Sequence, residues 1–199
     1  MKYILIFAFS AGTAFAQTET CISIDNDLDR LACYDLAAGR TPVQEVVETE
    51  NSWIIRIETS AMTDEKNVFM YAESKEDINC STYKTPQPAT LTVRCMENTT
   101  AVIYNAACHL TSSRYSSYGD ITYRLDDSSA NTTGFEASTN NRALGLWSGR
   151  KAIPFVKAMF GRNQMLMRVT PYSESAHTAT FDISGLEDAI APLREACHW

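Results

Sequence analysis

The chain has 199 residues, 17 basic and 24 acidic side chains, and a formal net charge of −7, with no cluster of Lys or Arg. That balance argues against nucleic acid and anionic membrane surfaces as partners, because charge would repel them rather than hold them. Nowhere are there the roughly 20 consecutive apolar residues that a membrane-spanning helix needs, so no membrane span is expected.

Residues 1–16 combine Lys2, an apolar run over 3–9 and the small residues Ala14 and Ala16 at the minus-three and minus-one positions. This pattern predicts a secretory signal peptide cleaved after Ala16. Cys21 follows Thr18-Glu19-Thr20, which is not a lipoprotein cleavage site, so the expected product is a free periplasmic or secreted protein. In an oxidising compartment Cys21, Cys33, Cys80, Cys95, Cys108 and Cys197 read as disulfides. Six cysteines allow fifteen pairings. Local geometry favours Cys80 with Cys95 across the proline-rich turn at 85–88, and Cys21 with Cys33 as a staple, which leaves Cys108 for Cys197.

Residues 17–39 read as a short helical module, with Ile24, Leu28 and Leu31 at helical spacing and Gly39 as its stop. A straight helix would hold Cys21 and Cys33 about 18 Å apart, so the module must turn near 25–27. Residues 40–51 are polar and acidic and read as a linker to a main domain over 52–199. There, two-residue alternation predicts strands at 53–59, 67–72, 90–96, 101–106 and 121–125, with Trp53 and the apolar strand faces in the core. A helix is expected over 151–160, with Pro154 in its first turn and Gly161 past its end. Strands resume at 165–170 and 178–183. Ser184 and Glu187 then form a capping box for a C-terminal helix that Pro192 should kink or tighten in its last turns. The fold class expected is mainly β: an antiparallel β-sandwich with two packed helices, one of them C-terminal, and the short N-terminal helical module.

Several blocks carry a family resemblance: RLACYD at 30–35, SAMTDEKNVFMYAES at 60–74, TLTVRCMENTTAVIY at 90–104, YRLDD at 123–127, and the run from Val169 onward. Together they resemble the VasI/TagO family of type VI secretion-associated proteins. The resemblance implies a periplasmic or envelope-associated accessory protein of Gram-negative bacteria, with no catalytic residues to carry across. It also implies that the cysteines, Arg94, Arg168, Phe181, Gly185 and Trp199 are fold determinants.

The remaining chemistry is sparse. Cys108-His109 and Cys197-His198 would offer two sulfurs and two nitrogens to zinc if they met, but the spacing matches no metal motif, and disulfides are the better reading. Asp126, Asp127 and Asn131 lack the glycine and glutamate of a calcium loop. No metal or other cofactor is expected. No G-x-S-x-G turn exists, and Ser148 reads as a helix cap. Asp120, Asp126, Asp127 and Glu136 could supply a carboxylate pair for glycoside hydrolysis, although such pairs are common on acidic surfaces.

Two segments suit partner binding: the Tyr/Ser-rich 111–119 and the polar 127–141 around Phe135. Arg114, Tyr115, Tyr118 and Phe135 are the candidate contacts. The leading expectation is a non-enzymatic accessory protein that binds a protein partner in the envelope, or the cell wall. The alternatives are an exported peptidoglycan hydrolase using acidic residues of 120–136, and a periplasmic inhibitor that inserts the Tyr/Ser loop into an enzyme cleft.

Overall fold

A computed structural model describes residues 21–24, 30–31, 33–34, 37–38, 45–48, 52–80 and 85–199. The expected signal peptide lies outside them. The chain falls into two units, Met1–Pro42 and Val43–Trp199. In the first, Cys21 is bridged to Cys33, and the Arg30 guanidinium donates a hydrogen bond to the carbonyl of Ile24 at 2.9 Å. The bridge is the one expected from the sequence.

The second unit is mainly β and antiparallel. Its strands are β1 (Glu45–Glu48), β2 (Ile54–Thr59), β3 (Lys66–Ile78), β4 (Gln87–Met96), β5 (Thr99–Asn105), β6 (Asp120–Leu125), β7 (Asn131–Gly134), β8 (Glu136–Ala137) and β9 (Ala143–Leu146). After helix α1 (Gly149–Ala158) come β10 (Gln164–Val169) and β11 (His177–Asp182), then the short helices α2 (Leu186–Ala189) and α3 (Ala191–Ala196). One continuous path, β7-β6-β10-β11-β3-β4-β5-β9-β8, curls into a nearly barrel-shaped sheet, with β2 and β1 branching from β3. β1 lies inside the stretch expected to be a linker and pairs with β2 from Glu45↔Ile57 to Glu48↔Ile54.

β3 makes the curl possible. It pairs with β2 over 66–71, with β4 along most of its length, and with β11 at Ser74↔Phe181. Its ladder with β4 shifts register between Glu73 and Asp77, where a bulge bends the strand. Buried Ser74 mends that break: its hydroxyl accepts the N–H of Ala89 at 2.8 Å and donates to the carbonyl of Glu76 at 2.7 Å. The Glu76 carboxylate accepts the N–H of Thr180 at 2.7 Å and so joins β11 to β3 where the strand ladder thins.

The inward faces of these strands form one core, with Trp53, Met70, Leu91, Tyr104, Ile121, Met165 and Phe181 all buried. Phe181 meets Tyr104 edge-on at 6.3 Å. Helix α1 packs on β5 and β9, and α3 on β3 and β4. The C-terminal helix departs from expectation. It is split at Ile190, with Pro192 in the first turn of α3, where its missing N–H costs nothing. The Ser184 hydroxyl donates to Asp182, and Gly185 at φ 70° takes the cap position, so the Ser184/Glu187 capping box is not made. Similarly α1 begins at Gly149 with Ser148 before it, which places Pro154 inside the helix rather than in its first turn.

The other two bridges correct the expected connectivity. Cys80 pairs with Cys108 and Cys95 with Cys197. In the β3–β4 hairpin Ile78 sits opposite Gln87, and Cys95 lies far along β4, opposite Val68. Eight residues of strand separate Gln87 from Cys95, roughly 27 Å, so Cys80 has no reach to it. Cys197, just past α3, lands on Cys95 instead. Trp199 follows, with its indole N–H donating to the Thr100 hydroxyl at 2.9 Å and its ring flanked by Lys157 and Arg194.

The two bridges close loops of very different length, with sequence separations of 102 and 28. Chain entropy then makes the Cys95–Cys197 bridge worth about 4.7 kcal/mol and the Cys80–Cys108 bridge about 3.5 kcal/mol. Urea unfolding of the two double-serine variants should give the larger loss for Cys95→Ser with Cys197→Ser; the reverse order would refute this ranking.

Candidate binding groove

Residues 112–119 leave the core and return to it as a self-braced loop. The N–H of Ser113 donates to the carbonyl of Tyr118, and the hydroxyls of Ser113 and Ser116 accept the N–H groups of Tyr115 and Tyr118. Ser113 and Ser116 thus help set the loop's own shape. Gly119 closes it at φ +91°, where a Cβ would come within 2.6 Å of the Phe135 carbonyl and the Ser112 side chain. Only glycine fits there.

This loop sends the candidate residues to different fates. Tyr115 is 99% exposed, Arg114 is exposed, and Tyr118 is half-buried against Tyr172 with ring centres 5.7 Å apart. Tyr172 in turn packs on His109 at 5.4 Å. Phe135 is 2% exposed and meets Phe155 of α1 edge-on, so it is a core residue and not a partner contact. A lone aromatic in a polar run has more to gain from the core than from water.

Below the loop lies an open groove of about 550 Å³, walled by Arg114, Tyr118, Asp120, Gly134, Glu136 and Lys151. A second hollow of about 460 Å³ shares Gly134 and Lys151 with it and extends between β7 and α1, over Tyr123, Pro154 and Phe155. Lys151 donates to Glu136 at 2.8 Å and holds that carboxyl below its ordinary value. The Ser112 hydroxyl accepts the N–H of Ala137, and the Trp147 indole donates to the Glu136 carbonyl, so both rims are fixed. Lys151 lines both hollows, and Tyr172 backs Tyr118. Nothing in the sequence pattern marks either of them, because one lies on the predicted helix and the other is a lone aromatic between strands.

Of the four acidic candidates Asp120 and Glu136 share the first groove, whereas Asp126 and Asp127 lie elsewhere. Asp126, at φ 45°, has one carboxylate oxygen accepting the N–H groups of Asn163 and Gln164 at 3.0 and 2.9 Å, so it pins the β6 end to the start of β10. Asp127 is exposed, 3.5 Å from Arg124. Cys108 and Cys197 lie in separate bridges, so the paired Cys-His neighbours do not form a four-ligand set. His177 comes instead within 4.8 Å of the Cys80 and Cys108 sulfurs, which are joined to each other. It also shares a 2.6 Å hydrogen bond with the hydroxyl of buried Tyr104. Burial raises the Tyr104 phenol and lowers the His177 imidazole from its ordinary 6.5.

Together these features define a disulfide-braced antiparallel β-domain with a preformed surface groove. No helix among the described residues is long and apolar enough to cross a membrane. The type VI secretion system VasI/EvfG family matches residues 20–199, and the chain belongs to that family. Among solved structures, the crystal structure of invasion associated protein B from Bartonella henselae is similar at TM-score 0.48 and 13% identity, over 76% of this chain and 97% of that one. No curated protein matches the sequence.

A His with a depressed folded pKa favours folding while neutral, so its contribution is intact above 6.5 and is lost as pH falls through the folded value. Thermal unfolding should therefore lose stability below pH 6.5 more steeply for the native chain than for His177→Gln; equal slopes would exclude this role. Asp126→Ala strands two N–H groups and should cost about 1–3 kcal/mol in urea unfolding. An unchanged midpoint would show that the carboxylate is dispensable to the fold.

Proposed function

We propose that this chain is an exported, non-enzymatic accessory protein of a type VI secretion system that works in the periplasm. It binds a protein of the cell envelope through the 113–118 loop and the groove beneath. Family membership supports the secretion system, and the signal-like residues 1–16 with three bridges support folding in an oxidising compartment.

One observation carries the binding site: Tyr115 stands 99% exposed beside Arg114, on a loop that its own serines hold in shape. A tyrosine ring wholly in water contributes nothing to the core. On a braced loop it can be buried by a partner with little further ordering cost, and Tyr and Arg are favoured anchors of such contacts. Of the four acidic residues a hydrolase would draw on, Asp126 is engaged with backbone N–H groups, Glu136 with Lys151 and Asp127 with Arg124, which leaves Asp120 in the groove without a second free carboxylate beside it.

In a host lacking this gene, the native chain should restore type VI secretion. A variant with Arg114→Ser and Tyr115→Ser, exported at the native level and unfolding at the native temperature, should not. Two lost anchors of about 2 kcal/mol each correspond to roughly a thousandfold weaker binding. Full restoration by the variant would reject the loop as the binding element.

A further inference from the structure

The seam of the sheet lies where its path ends. β7 pairs with β6 and with no other strand, and β8 pairs only with β9, so the two ends of the path do not join by a ladder among the described residues. Backbone direction along β7 follows from one bond. The N–H of Phe135 donates to the carbonyl of Gly119 at 2.8 Å, and hydrogen-bonding direction alternates along a strand. Thr133 therefore faces β6, while Thr132 and Gly134 turn their N–H and C=O groups outward. That edge carries neither lysine nor proline, and its four-residue length is what limits open-ended pairing along it.

The space beside this edge is already shaped. The hollow between β7 and α1 is floored by Tyr123, Leu146 and Phe155 and lipped by Arg150 and Lys151. Gly134 adds no side chain to the wall the two hollows share: a Cβ there would lie on the side of the first groove, meeting only an Asp120 carboxylate oxygen at 3.7 Å. Three cations, Arg114, Arg150 and Lys151, border the joined grooves against two carboxylates, Asp120 and Glu136. Lys151 is paired with Glu136, whereas Arg114 and Arg150 take part in no salt bridge among the described residues. On a chain of net charge −7 this is a locally basic stretch.

We infer that the occupant is an extended acidic segment of a partner protein, added as a strand to the open edge of β7. Thr132 and Gly134 supply its backbone pairing. The apolar floor takes one side chain of alternate residues, and Arg114 and Arg150 receive carboxylates. The inference rests on the proposed partner-binding function and names the chemistry of that partner.

The test uses the mature chain and two blocked nine-residue peptides, one alternating valine with glutamate and the other valine with lysine. The acidic peptide should bind, and in amide exchange it should slow Thr132 and Gly134 while leaving Thr133 unchanged. The lysine peptide should bind at least ~10-fold more weakly, as expected of like charges in an interface. Gly134→Val narrows the first groove beside Asp120 at an unstrained position, and Arg150→Glu reverses an exposed charge; each should weaken the acidic peptide by ~10-fold or more. Arg150→Glu keeps the test decisive if the glycine variant fails to fold.

Equal binding of the two peptides, no binding, or exchange protection elsewhere would overturn the inference. So would a dimer of the free chain that Gly134→Val dissociates, since the edge would then belong to a second copy. If the peptide fails while the Arg114/Tyr115 variant still abolishes secretion, partner binding through the loop stands and only strand addition falls. If the peptide binds while that variant secretes fully, strand addition stands and the loop falls.

Discussion

A thirteen-residue strand has to serve three neighbours that do not lie in one plane, and the rest of the domain is arranged around that demand. β3 can run beside β2 and β4 and still reach β11 only because it bends between Glu73 and Asp77. A bend there removes ladder bonds, which is expensive for buried backbone such as the N–H of Ala89 unless something replaces them. The replacements are side chains: Ser74 takes the orphaned N–H of Ala89, and Glu76 takes that of Thr180. Two short polar groups thus turn what would be a flat sheet into a curved one with a single interior.

The curvature also determines where the surface has shape. Because the sheet nearly closes, its two ends approach each other near Phe135, where Phe155 of α1 packs against both Phe135 and Tyr123. The grooves lie along this imperfect closure. Their walls are braced by Ser112, Trp147 and the Lys151–Glu136 pair, so a partner would meet a surface already in place. The side chains left unspent by this bracing, Tyr115 and Arg114, are the ones on the protruding loop.

Strands are legible in the sequence wherever one face is apolar and the other polar, as in 90–96 or 121–125. Legibility fails for the second half of β3, where Glu73, Lys75, Glu76 and Asp77 hide a strand that is exposed at its bend, and for β7, whose Asn-Thr-Thr-Gly reads as loop. β9 is hidden for the opposite reason: Ala143 to Leu146 are buried on both faces, which erases alternation. That the cysteines are bridged is plain from their number and setting, but nearness in sequence is a poor guide to their partners. The actual choice depends on how far along β4 each lies and on where a helix a hundred residues later docks. Composition points to Arg114 and Tyr115, and both stand exposed on the loop. It misplaces Phe135, because composition cannot tell a ring that protrudes from one that anchors.

The bond between Cys95 and Cys197 has a mechanical meaning as well. Tension applied between Trp53 and Trp199 would run through β2, β3 and β4 to Cys95 and leave through Cys197, bypassing everything from Met96 to Ala196. Both grooves and the exposed loop lie within that bypassed stretch. Load on the chain and the walls of the grooves therefore belong to separate parts of one small domain, and pulling on its end would not pry the grooves open.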